Sequence, residues 1–236
     1  MGYRGQAKSP TLVINSEKAI MKRLTSIVAV NSQGAIGCNN ELPWRIKTDL
    51  RFFRDQTLDQ VVIMGRKTLD SMGKALPKRH NIVLSHNSVL FQKTDNSEVA
   101  TNVAEALIFA EKCKGKEVFV VGGAATYKLF SPLVDRYLIT MVDKFVPNAD
   151  AYFDQEIFRN EDDWILRCRD DVKFSPEDDE SPFQVFEMLH KRPREIKAAR
   201  DALILEHKSK SLNRGRSSTN HFADLMASKN LQMQYR

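Results

Sequence analysis

Residues 61–68, VVIMGRKT, and residues 118–126, VFVVGGAAT, decide how the chain is read. Each runs a short apolar, β-prone stretch straight into glycine and then into residues of helical pattern. A strand feeding a helix through glycine is the repeating unit of an α/β fold with a parallel sheet. The alternation continues outward from these two junctions. Residues 24–30 form a nearly continuous apolar run, the mark of a strand covered on both faces. Residues 47–57 and 104–113 carry helical periodicity, residues 81–84 read as a third strand, and the helix opened by Gly122-Gly123 runs to Phe130, where Pro132 stops it. Residues 137–142, 164–168 and 183–189 complete the strands, the last two as antiparallel neighbours across an acidic loop between Pro176 and Pro182. The expected architecture is a single α/β domain whose central, twisted, mostly parallel sheet ends in antiparallel C-terminal strands and is flanked by helices.

A chain of 236 residues with 42% hydrophobic and 28% charged side chains is not disordered, collagenous or a disulfide scaffold. No apolar run approaches the ~20 residues of a membrane-spanning helix, and the first residues lack a secretory pattern. Cys38, Cys113 and Cys168 are odd in number and scattered, and the five histidines show no ligand spacing, so neither a disulfide framework nor a metal site is expected. A cytoplasmic location follows as the expectation.

The net charge of +6 is unevenly placed. Residues 1–21 carry +2, residues 192–236 carry +6 from ten basic and four acidic side chains, and the body, 22–191, carries −2. Bulk charge therefore gives the body no nucleic-acid surface. Residues 1–21 read as a flexible leader, with Met21 a candidate second start and Gln6 arguing against myristoylation at Gly2. In the basic tail, residues 195–207 have a narrow helical stripe of Ile196, Ala199 and Leu203. Residues 209–220 are polar and linker-like, and Phe222, Leu225 and Met226 recur at helical spacing. The tail is either a solvated, partly helical or disordered extension or a docking segment for a protein or RNA partner.

Candidate chemistry gathers at the junctions. After Gly65, the first helical turn offers free amides, Arg66, Lys67 and Thr68, a set suited to an anion. Taken alone, each glycine junction also reads as a relieved tight turn; two in one small sheet point to an extended, multiply phosphorylated ligand. Neither matches the dinucleotide fingerprint or the Walker loop. On the 47–57 helix, Asp49, Leu50, Phe53 and Thr57 share one arc, with Arg51, Arg54 and Asp55 opposite. Asp49 is then either a buried acceptor awaiting donors or a first-turn carboxylate complementing the helix dipole. In Leu42-Pro43-Trp44, proline stiffens the approach to that helix, and Trp44 is either core or a ring whose N–H wants a partner. No serine or cysteine occupies a nucleophile elbow.

Together these residues resemble the dihydrofolate reductase family over about residues 24–191. The motifs come in family order: Ile36-Gly37 with Leu42-Pro43-Trp44, Asp49-Leu50-Arg51-Phe52-Phe53, residues 62–68, and Leu76-Pro77 with Arg79 and Asn81. Val121-Gly122-Gly123 with Tyr127, Asp135-Arg136 with Thr140, and Asp150 with Phe153 follow. The resemblance implies NADPH-dependent reduction of 7,8-dihydrofolate, with Asp49, Leu42 and Trp44 as the catalytic set. It implies that Asp49 grips the pterin with Thr140 and that the carbonyls of Ile27 and Val121 flank the pterin amino group. Leu50, Phe53, Met72 and Leu76 would wall the rings, and Arg79, with Lys74 nearby, would meet the glutamate carboxylate. For the cofactor it implies Ala29, Ile36 and Gly37 at the nicotinamide, and Gly122 and Gly123 at its ribose and the pyrophosphate. Gly65, Arg66, Lys67, Thr68, Leu84, Ser85 and His86 would surround the phosphates and adenosine, with Ala124, Ala125, Thr126 and Tyr127 beside them. Ala124 and Ala125 depart from the family's glycine and basic residue, and Asn31 from a small apolar one. Residues 31–46 correspond to a mobile loop with Leu42 at its tip, closed with the help of Asp150. The body is expected to be a monomer. Competing readings are a riboflavin-pathway-type pyrimidine reductase, against which Leu-Pro-Trp and Asp49 argue, and a binding protein working through its tail.

Overall fold

A computed structural model describes residues 23–86, 96–113, 116–158 and 161–233, with side chains given to residue 213 apart from 158 and 161. The 1–21 leader, Met21 and Gln6 lie outside the described residues. So do the side chains of Phe222, Leu225 and Met226, so the expectations placed on them have no structural counterpart here.

The elements run β1 (Leu24–Asn31), β2 (Ala35–Gly37), α1 (Lys47–Thr57), β3 (Val61–Gly65), α2 (Arg66–Met72), β4 (His80–Leu84), β5 (Ser97–Ala100), α3 (Val103–Lys112) and β6 (Val118–Val120). After them come α4 (Ala124–Phe130), β7 (Arg136–Val142), β8 (Ala151–Tyr152), β9 (Trp164–Cys168), β10 (Phe183–His190) and α5 (Pro193–Met233). Eight strands make one sheet in the order β5-β4-β3-β6-β1-β7-β10-β9, and β2 pairs with β8 in a two-stranded ribbon. Pairings from β5 across to β7 are parallel, whereas β10 is antiparallel to both β7 and β9.

Period-two alternation sorts the strand residues into two cores. Val61 and Ile63 join the layer that includes Leu107, Tyr127 and Phe130, while Val62 and Met64 join the opposite layer with Trp44, Ile46 and Phe52. Central strands covered on both faces explain the unbroken apolar runs at β1 and β3. The short, partly polar strands β2, β5 and β8 carry no such run, and sequence pattern alone passes over them.

Two expectations need correction. Residues 209–220 are not a linker: α5 continues through them as one helix, because serine, lysine and asparagine are only weakly unfavourable in helices. Lys210 also pairs with Glu206 at i, i+4. The expected stripe of α5 keeps Ile196 and Leu203, both half-buried, but not Ala199. Arg200 and Ile204 face inward while Ala199 is exposed. A charged residue at the centre of the stripe hides it from hydropathy.

Candidate active site

The carboxyl ends of the parallel strands, where the chain crosses to either side of β1, open into a cleft of about 1100 Å³. All the residues expected at the cofactor line it, from Ala29, Ile36 and Gly37 through Gly65 and residues 66–68, Leu84, Ser85 and His86 to residues 121–127. Glycine shapes its floor. The Gly65 N–H donates to the Gly122 carbonyl at 2.8 Å, and Gly122 adopts φ +117°, which side-chain-bearing residues rarely do. A Cβ on Gly65 would stand 2.8 Å from Thr126 Oγ1, and one on Gly123 would stand 3.3 Å from Thr68 Oγ1. Arg66 and Lys67 are exposed at the rim, Arg66 pairing with Asp70.

Gly65→Ala is therefore expected to fold yet weaken, about tenfold or roughly 1.4 kcal/mol, binding of the NADPH that the resemblance implies, read as its KM. Gly73→Ala is its control. Nothing lies within 4 Å of that Cβ, but φ is +71°, so it should cost about 1 kcal/mol of stability with no change in that KM.

Sequence reading missed the cleft wall formed by Thr101, Asn102 and Val103. A signal was present. The Asn102 side chain accepts from the Glu105 N–H at 2.9 Å, and Glu105 accepts from the Thr101 N–H and hydroxyl at 2.7 Å each. This is a variant of the capping box, its return bond landing on Thr101 just ahead of the Asn102 N-cap, and is legible as Thr-Asn followed by Glu.

The loop from Asn31 into α1 is pinned over the cleft. The Asn39 N–H donates to Asp150 Oδ2 at 2.9 Å, the Asp150 N–H to the Gly37 carbonyl at 3.1 Å and the Cys38 thiol to the Asn148 carbonyl at 3.0 Å. Asn31 is buried but satisfied, accepting from Ala35 N–H and donating to the Lys144 carbonyl. Leu42 is 55% exposed and lines the cleft, whereas Trp44 is buried with its indole N–H facing no acceptor among the described residues.

Beside the cleft, the Thr140 hydroxyl donates to Asp49 Oδ1 at 2.6 Å, and Thr140 sits opposite the cleft residue Ala29 in the β1–β7 register. Asp49 is half-buried, and lost hydration holds its carboxyl above the usual range; the Thr140 bond opposes that rise and the charge of Asp179 adds to it. Burial likewise pushes the Tyr127 phenol well above its ordinary value, and Tyr127 donates to the Ile27 carbonyl at 2.7 Å. The Val121 N–H is committed to the Ile63 carbonyl at 2.9 Å.

The inward arc of α1 differs from the expected one. Thr57 is buried as expected, but Phe52 is buried from outside the arc and Leu50 within it is 48% exposed. Phe53, Met72 and Leu76 are half-buried against that core. Asn81 fixes Leu76 by accepting from its N–H and donating to its carbonyl, both at 2.9 Å. Arg79 is buried, and its hydrogen bonds reach Thr57 Oγ1 at 3.2 Å and the carbonyls of Pro77 at 2.9 Å and Arg54 at 3.2 Å. No carboxylate among the described residues pairs with it, and burial together with the charge of Arg54 lowers its pKa. Lys74 is exposed.

Comparison with known proteins identifies the family. The family model described as dihydrofolate reductase matches residues 23–190. The dihydrofolate reductase of Staphylococcus haemolyticus is 30% identical over 172 residues, covering 73% of this chain and 97% of its own. The type 9 enzyme of Escherichia coli is 35% identical over 144 residues, covering 59% of this chain and 81% of its own. Among solved structures, dihydrofolate reductase from Enterococcus faecalis, complexed with NADP(H) and RAB-propyl, superposes with a TM-score of 0.59 at 26% identity, over 72% of this chain and 96% of that one. The family match stops just short of α5, so the chain belongs to the dihydrofolate reductase family and continues beyond the family's end into a further helix.

Proposed function

We propose that this chain catalyses the NADPH-dependent reduction of 7,8-dihydrofolate to tetrahydrofolate. The observation that carries the reading is Asp49, a carboxylate paired with Thr140 beside a cleft floored by glycine. NADPH, when bound, supplies a hydride to C6 of the pterin. The cleft suits it, because its floor is backbone at Gly65, Gly122 and Gly123, where a Cβ at 65 or 123 would crowd Thr126 or Thr68 and the φ of Gly122 favours glycine, and Arg66 with Lys67 offers cations to a 2′-phosphate.

Asp49 presents two acceptor oxygens to the adjacent amino and ring N–H donors of the pterin, a two-pronged contact. Thr140 orients it, and the Ile27 carbonyl keeps a second lone pair free beside the Tyr127 bond. Leu50, Phe53, Met72 and Leu76 enclose the rings. The exposed half of Leu50 is then surface that a ligand covers. Arg79 spends three of its five N–H donors on neutral oxygens and keeps one on each terminal nitrogen for a carboxylate. Leu42 and Trp44, with its unpartnered N–H, border the water route to N5, whose protonation the Asp49 charge favours. No described helix is long and apolar enough to cross a membrane; we place the enzyme in the cytoplasm, with a monomeric body.

The test is loss of reduced-nicotinamide absorbance with dihydrofolate and, in parallel, with the ribosylated pyrimidine of the riboflavin pathway. Turnover is expected with the first alone. Turnover with only the second would overturn the assignment.

A further inference from the structure

Helix α1 carries no cap of its own. Ile46 stands at its N-cap in extended conformation with no side-chain acceptor, although the first-turn amides need one. The acceptor arrives from the loop between β9 and β10. Asp179, 5% exposed, accepts from the Thr48 N–H through Oδ1 and from the Ser175 N–H through Oδ2, both at 2.9 Å. Its backbone also forms an antiparallel bridge with Ile46. The neighbours of Asp179 fasten the loop on either side. Asp178 accepts from Lys47 at 3.1 Å and Arg51 at 2.8 Å, and Lys144 joins Glu180 at 2.6 Å to the Pro43 carbonyl at 2.8 Å.

The three acidic residues are thus not equivalent. Asp178 and Glu180 are matched by cations, whereas the bonds of Asp179 go to backbone amides. We propose that Asp179 is a positioning residue for the reduction, fixing the first turn of α1 so that Asp49 meets the pterin and adding a second negative charge behind the site where the proton is received. This rests on the dihydrofolate reductase reading above. After burial and the opposing Thr140 bond, the charge of Asp179 is the remaining influence on the Asp49 carboxyl. Among the described residues, Thr140 from β7 bonds to Asp49 and the neutral Tyr127 phenol from α4, bonded to the Ile27 carbonyl, feels its charge, while Lys47 and Arg51 on α1 are committed to Asp178. A nearby negative charge strengthens proton binding at Asp49 and at pterin N5 alike. Removing it therefore moves the alkaline limb of the rate to lower pH whichever group holds the proton.

The experiment measures dihydrofolate reduction by the full chain across pH, with thermal unfolding, for wild type, Asp179→Asn and Asp179→Ala. Asparagine keeps an acceptor for Thr48, loses the charge and leaves the Ser175 N–H without its acceptor. It should hold KM near wild type, with a modestly lowered unfolding midpoint, while moving the alkaline limb down by about 0.5 in pH. Alanine should show the same displacement together with a several-fold rise in KM for dihydrofolate. Coincident limbs for wild type and Asp179→Asn, or an unchanged KM in Asp179→Ala, overturn the proposal. An active wild type with either result isolates the failure to Asp179. A wild type inactive on dihydrofolate instead removes the functional reading, and this inference with it.

Discussion

Asp49→Asn is expected to lower the rate of hydride transfer at neutral pH by about 10²–10³-fold, roughly 3–4 kcal/mol, while the protein folds at least as well as wild type. Asparagine still accepts from Thr140, so the local geometry survives. What is lost is the negative charge that favours a proton on the substrate. The stability half of this prediction follows from the raised carboxyl. Burial is the leading cause and outweighs the Thr140 bond. A carboxyl raised in the folded state lends its stability below the unfolded value and loses it as pH climbs through the folded value. At neutral pH Asp49 is thus a burden that asparagine lifts. Single-turnover rates and denaturant unfolding of both proteins check the two halves. A near-normal rate would remove Asp49 from its assigned role, and a large fall in stability would mean that the carboxylate is a structural anchor.

The contrast between local and distant information explains what the sequence discloses. Strands β1, β3 and β6 announce themselves because a strand covered on both faces needs apolar residues at every position. The glycines at 65, 122 and 123 are legible for a similar reason: a Cβ at 65 or 123 would crowd Thr126 or Thr68, and Gly122 holds a φ of +117°. Asp49 stands out as a carboxylate on an inward arc, but the pattern misassigns its neighbours. Periodicity fixes spacing along a helix and leaves open where the protein ends and the cleft begins. Hence Phe52 is buried and Leu50 is not.

The residues that pattern misses act across long sequence separations. Asp179 reads as one acid among several in a surface loop, and only the folded chain brings it to Thr48. Arg79 is legible through family resemblance, but its burial against neutral oxygens is a fact of the tertiary structure. The tail is the clearest case. Its basic composition suggests a segment detached from the body, whereas its first turns are part of the core: Ile204 packs with the Leu107 and Phe130 layer, and Lys208 reaches Glu111 on α3.

Arg200→Ala is expected to destabilise the protein by about 3–5 kcal/mol, the range for removing one partner of a buried ion pair. Arg200 is 2% exposed, donates to the Leu133 carbonyl at 2.7 Å and pairs with Asp135 at 2.9 Å. Residues 133–135 join α4, which lines the cleft, to β7, which carries Thr140, so the clamp bears on both halves of the site. Burial already holds the Asp135 carboxyl above its ordinary value, against the charge and hydrogen bond of Arg200. Removing Arg200 deletes that opposition and raises the carboxyl further. By the sign rule applied to Asp49, the stability tied to this proton is complete in acid and lost as pH rises through the folded value. The deficit of the variant should therefore be largest at neutral pH and narrow in mildly acid solution. Adding Asp135→Asn, which leaves no buried charge, should recover much of the loss. Ending the chain after Lys191 removes Arg200 and Ile204 together and should cost at least as much, with turnover falling in step. Denaturant unfolding at two pH values decides the matter: a deficit below about 1 kcal/mol, the scale of an exposed pair, would place α5 outside the core.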